Sequence, residues 1–515
     1  MLVFNLQDKK MNTIYKSILG IWLLIGFTGC SKYLEEKSQD EVRPSSVAEL
    51  QQLLMGEVYP AGSYTPGFHP YLDLMTDDMV SNFNPGLAGP TLYKQYEGPY
   101  TWRSDMFELM EAAMTPGAID TYAHYYRRIK GCNVVLEMID GVRGDEGERE
   151  NVRAQALAMR SFYYFMLVNL FAQPYNAPGI DRETAPGVEL ILSSVVKDEY
   201  PRRASIKKVY DQIEADLMKA LPLIRQHGSG NSKFRVTTGF VYTLLSRLSL
   251  YQEKWEQAAQ YASDGLTLNS SLLRLASVPY PGTWSDPATN IYSINSPEAI
   301  WLGYANGSEY REMGRFDYDI LNFCLSPELR SKYDFTRTNT SNRGDLRMRY
   351  FYYWDYLDYD WTIYVPILGK KLGGSNSSNV VKGMRVAELY LNRAEANIIQ
   401  YLKNGDEALR ASALSDLNFL RSNRYDTRNV AYVPVDFSGQ ALLDFCRDER
   451  RRELSFEDHR WFDLRRYGMP EIRHKFQTTA SQAPVEYVLQ KNDKRYTLPI
   501  PRSALIRNPN LEPNP

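Results

Sequence analysis

Between Arg447 and Gly468 the sequence reads RDERRRELSFEDHRWFDLRRYG, and 13 of these 22 residues carry a formal charge. Seven are arginines, threaded with Leu454, Phe456, Trp461, Phe462 and Leu464. A solvated helix has little use for so much apolar surface, and a plain core helix has little use for seven arginines. The mixture calls for charges paired at close quarters around an aromatic centre. Helical spacing allows local pairs, Asp448 with Arg452 and Arg450 with Glu453. Glu449 and Glu453 share a face and a sign, so some partners are expected from distant sequence. Elsewhere, Asp77-Asp78 is the acidic pair closest in kind to a glycosidase couple. A retaining glycosidase needs two carboxyls ~5 to 5.5 Å apart across the sugar bond, whereas adjacent side chains diverge on a helix or strand. The five histidines (His69, His124, His227, His459, His474) form no H-x-H or H-E-x-x-H pattern, so no metal cluster is expected. There is no G-x-S-x-G elbow, P-loop or G-x-G-x-x-G. No catalytic residue, metal ligand or cofactor is assigned.

The elements that must position this chemistry are mostly helical. Val47–Gly56 reads as a helix capped by Ser45 or Ser46. Helical periodicity then marks Ala118–Asp140, Glu148–Phe171 and Ile206–Leu221, the last capped by Ser205. Thr237–Tyr251 with Trp255–Leu268, and Arg385–Tyr401 with Asp406–Arg421, read as helical hairpins. In the first, Trp255-x2-Ala258-x3-Ala262-x2-Gly265-Leu266-x-Leu268 has the small residues of a tetratricopeptide repeat. The fold expected is mainly α: a tetratricopeptide-like scaffold of helical hairpins, with long irregular insertions and a few short β-hairpins. The insertions are Leu268–Val381 and Gln477 to the C-terminus. Within the first, nine of the fifteen residues from Tyr350 to Tyr364 are aromatic, and their alternation with aspartates allows a strand hairpin. Tyr59–Trp102 is rich in Pro and Gly, and a loop system of that length in a compact domain is usually functional.

At 515 residues the chain should form more than one lobe. A net charge of -2 with no long basic run gives no reason to expect nucleic acid. Cys132, Cys324 and Cys446 are too far apart to read as a disulfide framework. Tyrosine, at 38 residues against 20 phenylalanines, suits wet surfaces that stack on ligands. From Met11 the chain reads MNTIYKSILGIWLLIGFTGC. Lys16 and the apolar run Ile18–Phe27 fit a signal peptide over residues 1–29, with Met11 as its start. Phe27-Thr28-Gly29-Cys30 reads as a lipobox, and residues 30–37 as a tether.

The C-terminal pattern E-R-x-x-E-L-x-F-E-x-x-R-W-x-D-L-R-R, filled by Glu449 to Arg466, resembles the signature of the SusD/RagB family. Arg153–Tyr175, Pro186–Leu190, Gly344–Arg347 and Asn508–Asn514 match further family segments. The resemblance implies a surface lipoprotein of Bacteroidetes, lipidated at Cys30, anchored in the outer membrane and exposed at the cell surface. It implies non-catalytic capture of a glycan and a SusC-like TonB-dependent transporter as partner. It makes the charged signature structural, and divides the chain into an N-terminal lobe (38–268) and a C-terminal lobe with ligand-facing insertions (269–515). A peptide-binding member of the same family, and a scaffold that binds only protein, are the alternatives.

Sugar capture needs exposed aromatic planes flanked by hydrogen-bonding side chains, on loops over a rigid frame. By position in Phe68–Trp102 and Tyr280–Tyr310, the ligand-binding candidates are Phe83, Asn84, Tyr93, Trp284, Asn290, Tyr292 and Tyr304. Trp102 and Trp301 are assigned to the core.

Overall fold

The computed structural model describes residues 43–60, 69, 71–81, 96–113, 120–195, 200–228, 230, 232–279, 291–305, 323–336, 339–354, 364–365, 381–479 and 481–514. In chain order the helices are α1 (Val47–Leu53), α2 (Glu97–Tyr100), α3 (Met106–Ala113), α4 (Thr121–Met138), α5 (Glu146–Phe171), α6 (Ile206–His227), α7 (Thr238–Tyr251) and α8 (Trp255–Leu268). There follow α9 (Pro327–Ser331), α10 (Arg347–Phe351), α11 (Val386–Asn404), α12 (Glu407–Ser422), α13 (Gly439–Leu454), α14 (Arg460–Arg466) and α15 (Arg502–Arg507). Among the described residues, eight short strands pair two by two and antiparallel: β1 (Met79–Ser81) with β3 (Phe323–Leu325), β2 (Ala299–Ala305) with β6 (Val381–Arg385), β4 (Tyr353–Trp354) with β5 (Tyr364–Val365), and β7 (Ile472–Phe476) with β8 (Val485–Leu489). The fold is mainly α, and β4–β5 is the hairpin that the aromatic run allowed.

Side-chain caps set the helix starts. Ser46, Asp120, Asp145, Ser205, Thr237 and Asp406 each accept from a backbone N–H in the first turn of the helix that follows. One departure from the sequence reading is the end of the helix that starts at Ile206, expected at Leu221. α6 runs on to His227, with Pro222 inside it. Ile224 lies in the core beyond the proline, so burial there outweighs one missing backbone hydrogen bond.

The helices stack in sequence, α4 on α5, α5 on α6, α6 on α7 and α7 on α8, and α8 then packs on α11, which carries α12 and α13. The two expected hairpins are thus neighbours in space across the long insertion. Gly265 permits the α8–α11 approach, since a Cβ there would sit 2.9 Å from the Leu389 Cδ1 atom. α5 is the central helix: every residue from Ala154 to Phe171 is buried. Arg160, the charged residue in that run, is neutralised by Asp216 at 2.7 Å.

The C-terminal end of α5 is also buried, and two arginines face it. Arg465 donates to the carbonyl of Ala172, and Arg203 to that of Phe171 at 2.8 Å. Arg465 meets no carboxylate among the described residues, and burial pushes its guanidinium down to about 10. Its counter-charge is the negative end of the α5 dipole, with its orphan carbonyls. Asn514, near the end of the chain, completes the cap by donating to the Phe171 carbonyl at 2.8 Å while accepting from Arg203 at 2.7 Å.

The charged signature folds into the interior. Arg347 pairs with Asp345, Glu449 and Glu453 at 2.7, 2.7 and 2.9 Å. Glu453 also takes Arg385 and Arg424, and these two share Glu298. Arg385 goes on to Glu457 at 2.7 Å, while Arg421 and Arg452 take the second oxygen of Glu449. Five arginines (347, 385, 421, 424, 452) thus balance five carboxylates (298, 345, 449, 453, 457). Alongside, Asp463 bridges Arg450 and Arg466, each at 2.8 Å, and Arg466 reaches Glu395 at 2.6 Å. The local pairs expected from helical spacing do not form. Asp448 pairs with Lys332 and Arg450 with Asp463, because α13 turns most of its charges onto other elements; along itself it pairs Glu449 with Arg452.

Burial raises the pKa of Glu449, but Arg347, Arg452 and Arg421 outweigh it and hold the carboxyl well below the usual range. Asp463 is likewise depressed, burial being outweighed by Arg450 and Arg466. Folded values below unfolded ones mean that this stabilisation is complete above the unfolded range near pH ~4 and is lost as pH falls. The melting temperature should therefore drop steeply once pH passes below ~4, and differential scanning calorimetry across pH 3 to 7 measures it. Arg347→Met leaves three carboxylates short of a partner in the interior and should cost ~3–5 kcal/mol in urea unfolding.

Candidate functional site

Five stretches outside the described residues hold the aromatic-rich or polar candidate segments: 82–95, 280–290, 306–322, 355–363 and 366–380. Their described stems come together. Ser81 is the β1 partner of Phe323, so 82–95 begins where 306–322 ends. The far end of 82–95 returns to the same place, since the rings of Tyr96 and Tyr100 pack on Phe323 with centroids 6.3 and 5.1 Å away. The Ser81 N–H donates to the Tyr100 hydroxyl at 2.8 Å, which ties the two ends directly. Ala305 and Val381 are partners, so 306–322 starts beside the end of 366–380. Trp354 and Tyr364 are partners at the two ends of 355–363, and β3 packs on β5. Tyr350, just ahead of β4, donates to the Val278 carbonyl at 2.8 Å, next to the start of 280–290.

The stems at β1, β3 and β6 are anchored to the charged frame. Before β1, Asp77 takes Arg460 at 2.6 Å and Asp78 takes Arg451 at 2.6 Å; Arg451 reaches on to Glu328, just after β3. On β6, Lys382 pairs with Asp458 at 2.6 Å and Asp73 at 3.5 Å. Asp458 also meets His69 at 3.0 Å. Phe456 and Asp458 both take left-handed backbone, φ 59° and 64°, at ~1–2 kcal/mol each. That turn aims Glu457 at Arg385 and Asp458 at Lys382.

Two of these groupings look like catalysis. Asp77 and Asp78 have split acidities. Burial raises Asp77, but Arg460 and Arg451 bring it down to about 2; Asp78 is raised by burial and by Asp77. Such splitting marks acid–base pairs, but Asp78 is 1% exposed and arginines close both carboxylates. The Tyr125 hydroxyl, His69 and Asp458 line up as hydroxyl, imidazole and carboxylate, at 3.0 and 3.0 Å. This is the order of a nucleophile relay. All three are buried, and burial pushes the Tyr125 phenol well above its ordinary value. Burial and ion pairing close both groupings, and both serve as anchors.

Of the residues chosen from sequence, Phe83, Asn84, Tyr93, Trp284 and Asn290 lie outside the described residues, as does Cys30. Tyr304 lies on β2 with Lys382 as its cross-strand partner. Tyr292 is a correction: it is 2% exposed, its hydroxyl donates to Glu457, and the Arg385 guanidinium sits 5.9 Å from its ring centre. A phenol committed to a buried carboxylate offers no face to a sugar. Trp102 and Trp301 are buried as assigned. Sequence reasoning missed His69, Lys382 and His474 as stem anchors. The one signal available was a charged or imidazole side chain inside an apolar strand pattern, as in Val381-Lys382-Gly383-Met384 and Ile472 to Phe476.

A family model described as starch-binding and associating with the outer membrane matches residues 32–250, and a SusD family model matches residues 333–515. A SusD-like protein P2 from Formosa agariphila is 25% identical over a 541-residue alignment that covers 96% of this chain and 98% of the relative. Among solved structures, a SusD superfamily protein from Bacteroides thetaiotaomicron is 22% identical with a TM-score of 0.66, covering 91% of this chain and 100% of that one. A SusD-like carbohydrate binding protein from Bacteroides vulgatus is 22% identical with a TM-score of 0.62, covering 91% and 98%. With two SusD models matching both halves of the chain, a relative aligned almost end to end, and the same helical fold in solved relatives, the chain belongs to the SusD/RagB family.

Proposed function

We propose that this protein captures oligo- or polysaccharide at the cell surface without cleaving it and hands it to a SusC-like TonB-dependent transporter. Lipidation at Cys30 would hold it to the outer membrane, with residues 30–37 as tether and the lobes 38–268 and 269–515 beyond. The observation that carries the reading is the gathering of the insertion stems on one rigid, ion-paired frame. Loops held by a rigid frame lose little entropy on binding. The segments so anchored contain Phe83, Tyr93, Tyr310, Tyr318, Tyr356 and Trp361, the flat faces that sugar C–H surfaces stack on. The family description of starch binding at the outer membrane supports the same reading.

Isothermal titration against a panel of neutral, acidic and amino-substituted glycans should give saturable binding to at least one class and release no reducing sugar over time. Silence to every glycan with tight binding of peptides would replace the glycan reading with peptide capture. Tyr93→Ala or Trp284→Ala should weaken the bound glycan roughly tenfold, about 1.4 kcal/mol. Tyr292→Phe, by contrast, should cost ~1–3 kcal/mol of stability by leaving Glu457 short of a donor, with the affinity unchanged.

A further inference from the structure

His474, on β7, is 3% exposed and both of its ring nitrogens face backbone carbonyls. Nδ1 lies 2.7 Å from the oxygen of Tyr100, and Nε2 lies 3.0 Å from the oxygen of Thr76. The ring is also sandwiched. Tyr100 stacks on one side at 4.1 Å and 12°, and Trp102 at 4.3 Å and 23°. A neutral imidazole has one N–H and one bare nitrogen, so it satisfies one carbonyl and repels the other. An imidazolium donates to both, and within ~6 Å of two aromatic faces it gains cation–π attraction as well. The titratable groups around the ring are Tyr100 on α2, Tyr487 as its cross-strand partner on β8, and Asp77 in the turn before β1, whose negative charge favours the cation but is shared with Arg460 and Arg451. Burial opposes the charge and, were it to prevail over the pull of the two carbonyls and Asp77, would take the ring down to about 4. The neutral ring this would leave at pH 7 sets an unprotonated nitrogen within 3.0 Å of a carbonyl oxygen.

We propose that His474 is a buried imidazolium at neutral pH, and that its charge clamps together the backbone segments on either side of residues 82–95. Thr76 lies before β1 and Tyr100 closes α2, so the two carbonyls belong to the two limbs that bracket that stretch. A cation held this way has a folded pKa above the unfolded value. Its stabilisation is complete below that unfolded value and is lost as pH rises through the folded one. The clamp is a positioning element, and it goes beyond the capture of any ligand: its charge state is the same whether or not a glycan binds.

The chain has five histidines, so histidine-selective 15N labelling of the full-length protein in a deuterated background gives a readable spectrum. His474 is assigned by contacts from its ring to the Trp102 indole, and no variant has to fold. At pH 7.5 both ring nitrogens of His474 should resonate in the protonated range and carry hydrogens that exchange slowly. On raising the pH, loss of the second proton should coincide with faster exchange of the Ser81 amide. One unprotonated nitrogen at pH 7.5, with the second proton gained only near pH 4, would overturn the proposal.

Discussion

Glu453 is fully buried and accepts from three arginines, Arg347, Arg385 and Arg424, that come from three separate parts of the chain. The rest of the structure depends on this convergence. A carboxylate in the interior is costly unless its charge is met and its lone pairs are filled, so the docked position of α13 requires α10, β6 and the turn after α12 around it. Hydrophobic packing would hold those elements together in several near-equivalent ways. Forked guanidinium–carboxylate contacts admit far fewer, because direction as well as distance must be right. Specificity of arrangement, rather than net stabilisation, is what such a network supplies.

The same network explains how the short strand stems are positioned accurately. β1, β3 and β6 are three to five residues long and pair in twos, and strands that short hold little register by themselves. Each is pinned by a charged contact at or beside its end: Asp78 with Arg451, Glu328 with Arg451, and Lys382 with Asp458. The helical stack gives the frame its stiffness, and the ion pairs pass that stiffness to the stems. The segments between the stems are then free to differ in sequence without disturbing the fold.

Much of the frame was legible in the sequence. Periodicity and caps placed α5, α7, α8, α11 and α12 within a few residues, since each has a buried stripe or a clear N-cap. The signature from Glu449 to Arg466 announced buried charge correctly. Its partners were not legible, because Arg347, Arg385 and Arg424 lie in segments whose pattern says nothing of what they face. Tyr292 shows the same limit from the other side. An isolated tyrosine in an irregular insertion reads as a ligand contact, and only the position of Glu457 makes it part of the core. The ligand-facing side chains depend on loop conformation, which neither periodicity nor turn chemistry specifies.

The central claim is that the charged signature holds the frame while the insertions choose the ligand. It is tested most directly by Asp463→Leu, with glycan affinity and unfolding free energy measured on the same preparation at a temperature where the variant remains folded. Loss of the Asp463 bridge to Arg450 and Arg466 should lower stability by ~3 kcal/mol or more, with affinity within about twofold of the parent, roughly 0.4 kcal/mol. A variant as stable as the parent that no longer binds would contradict the account and return the signature to the binding site.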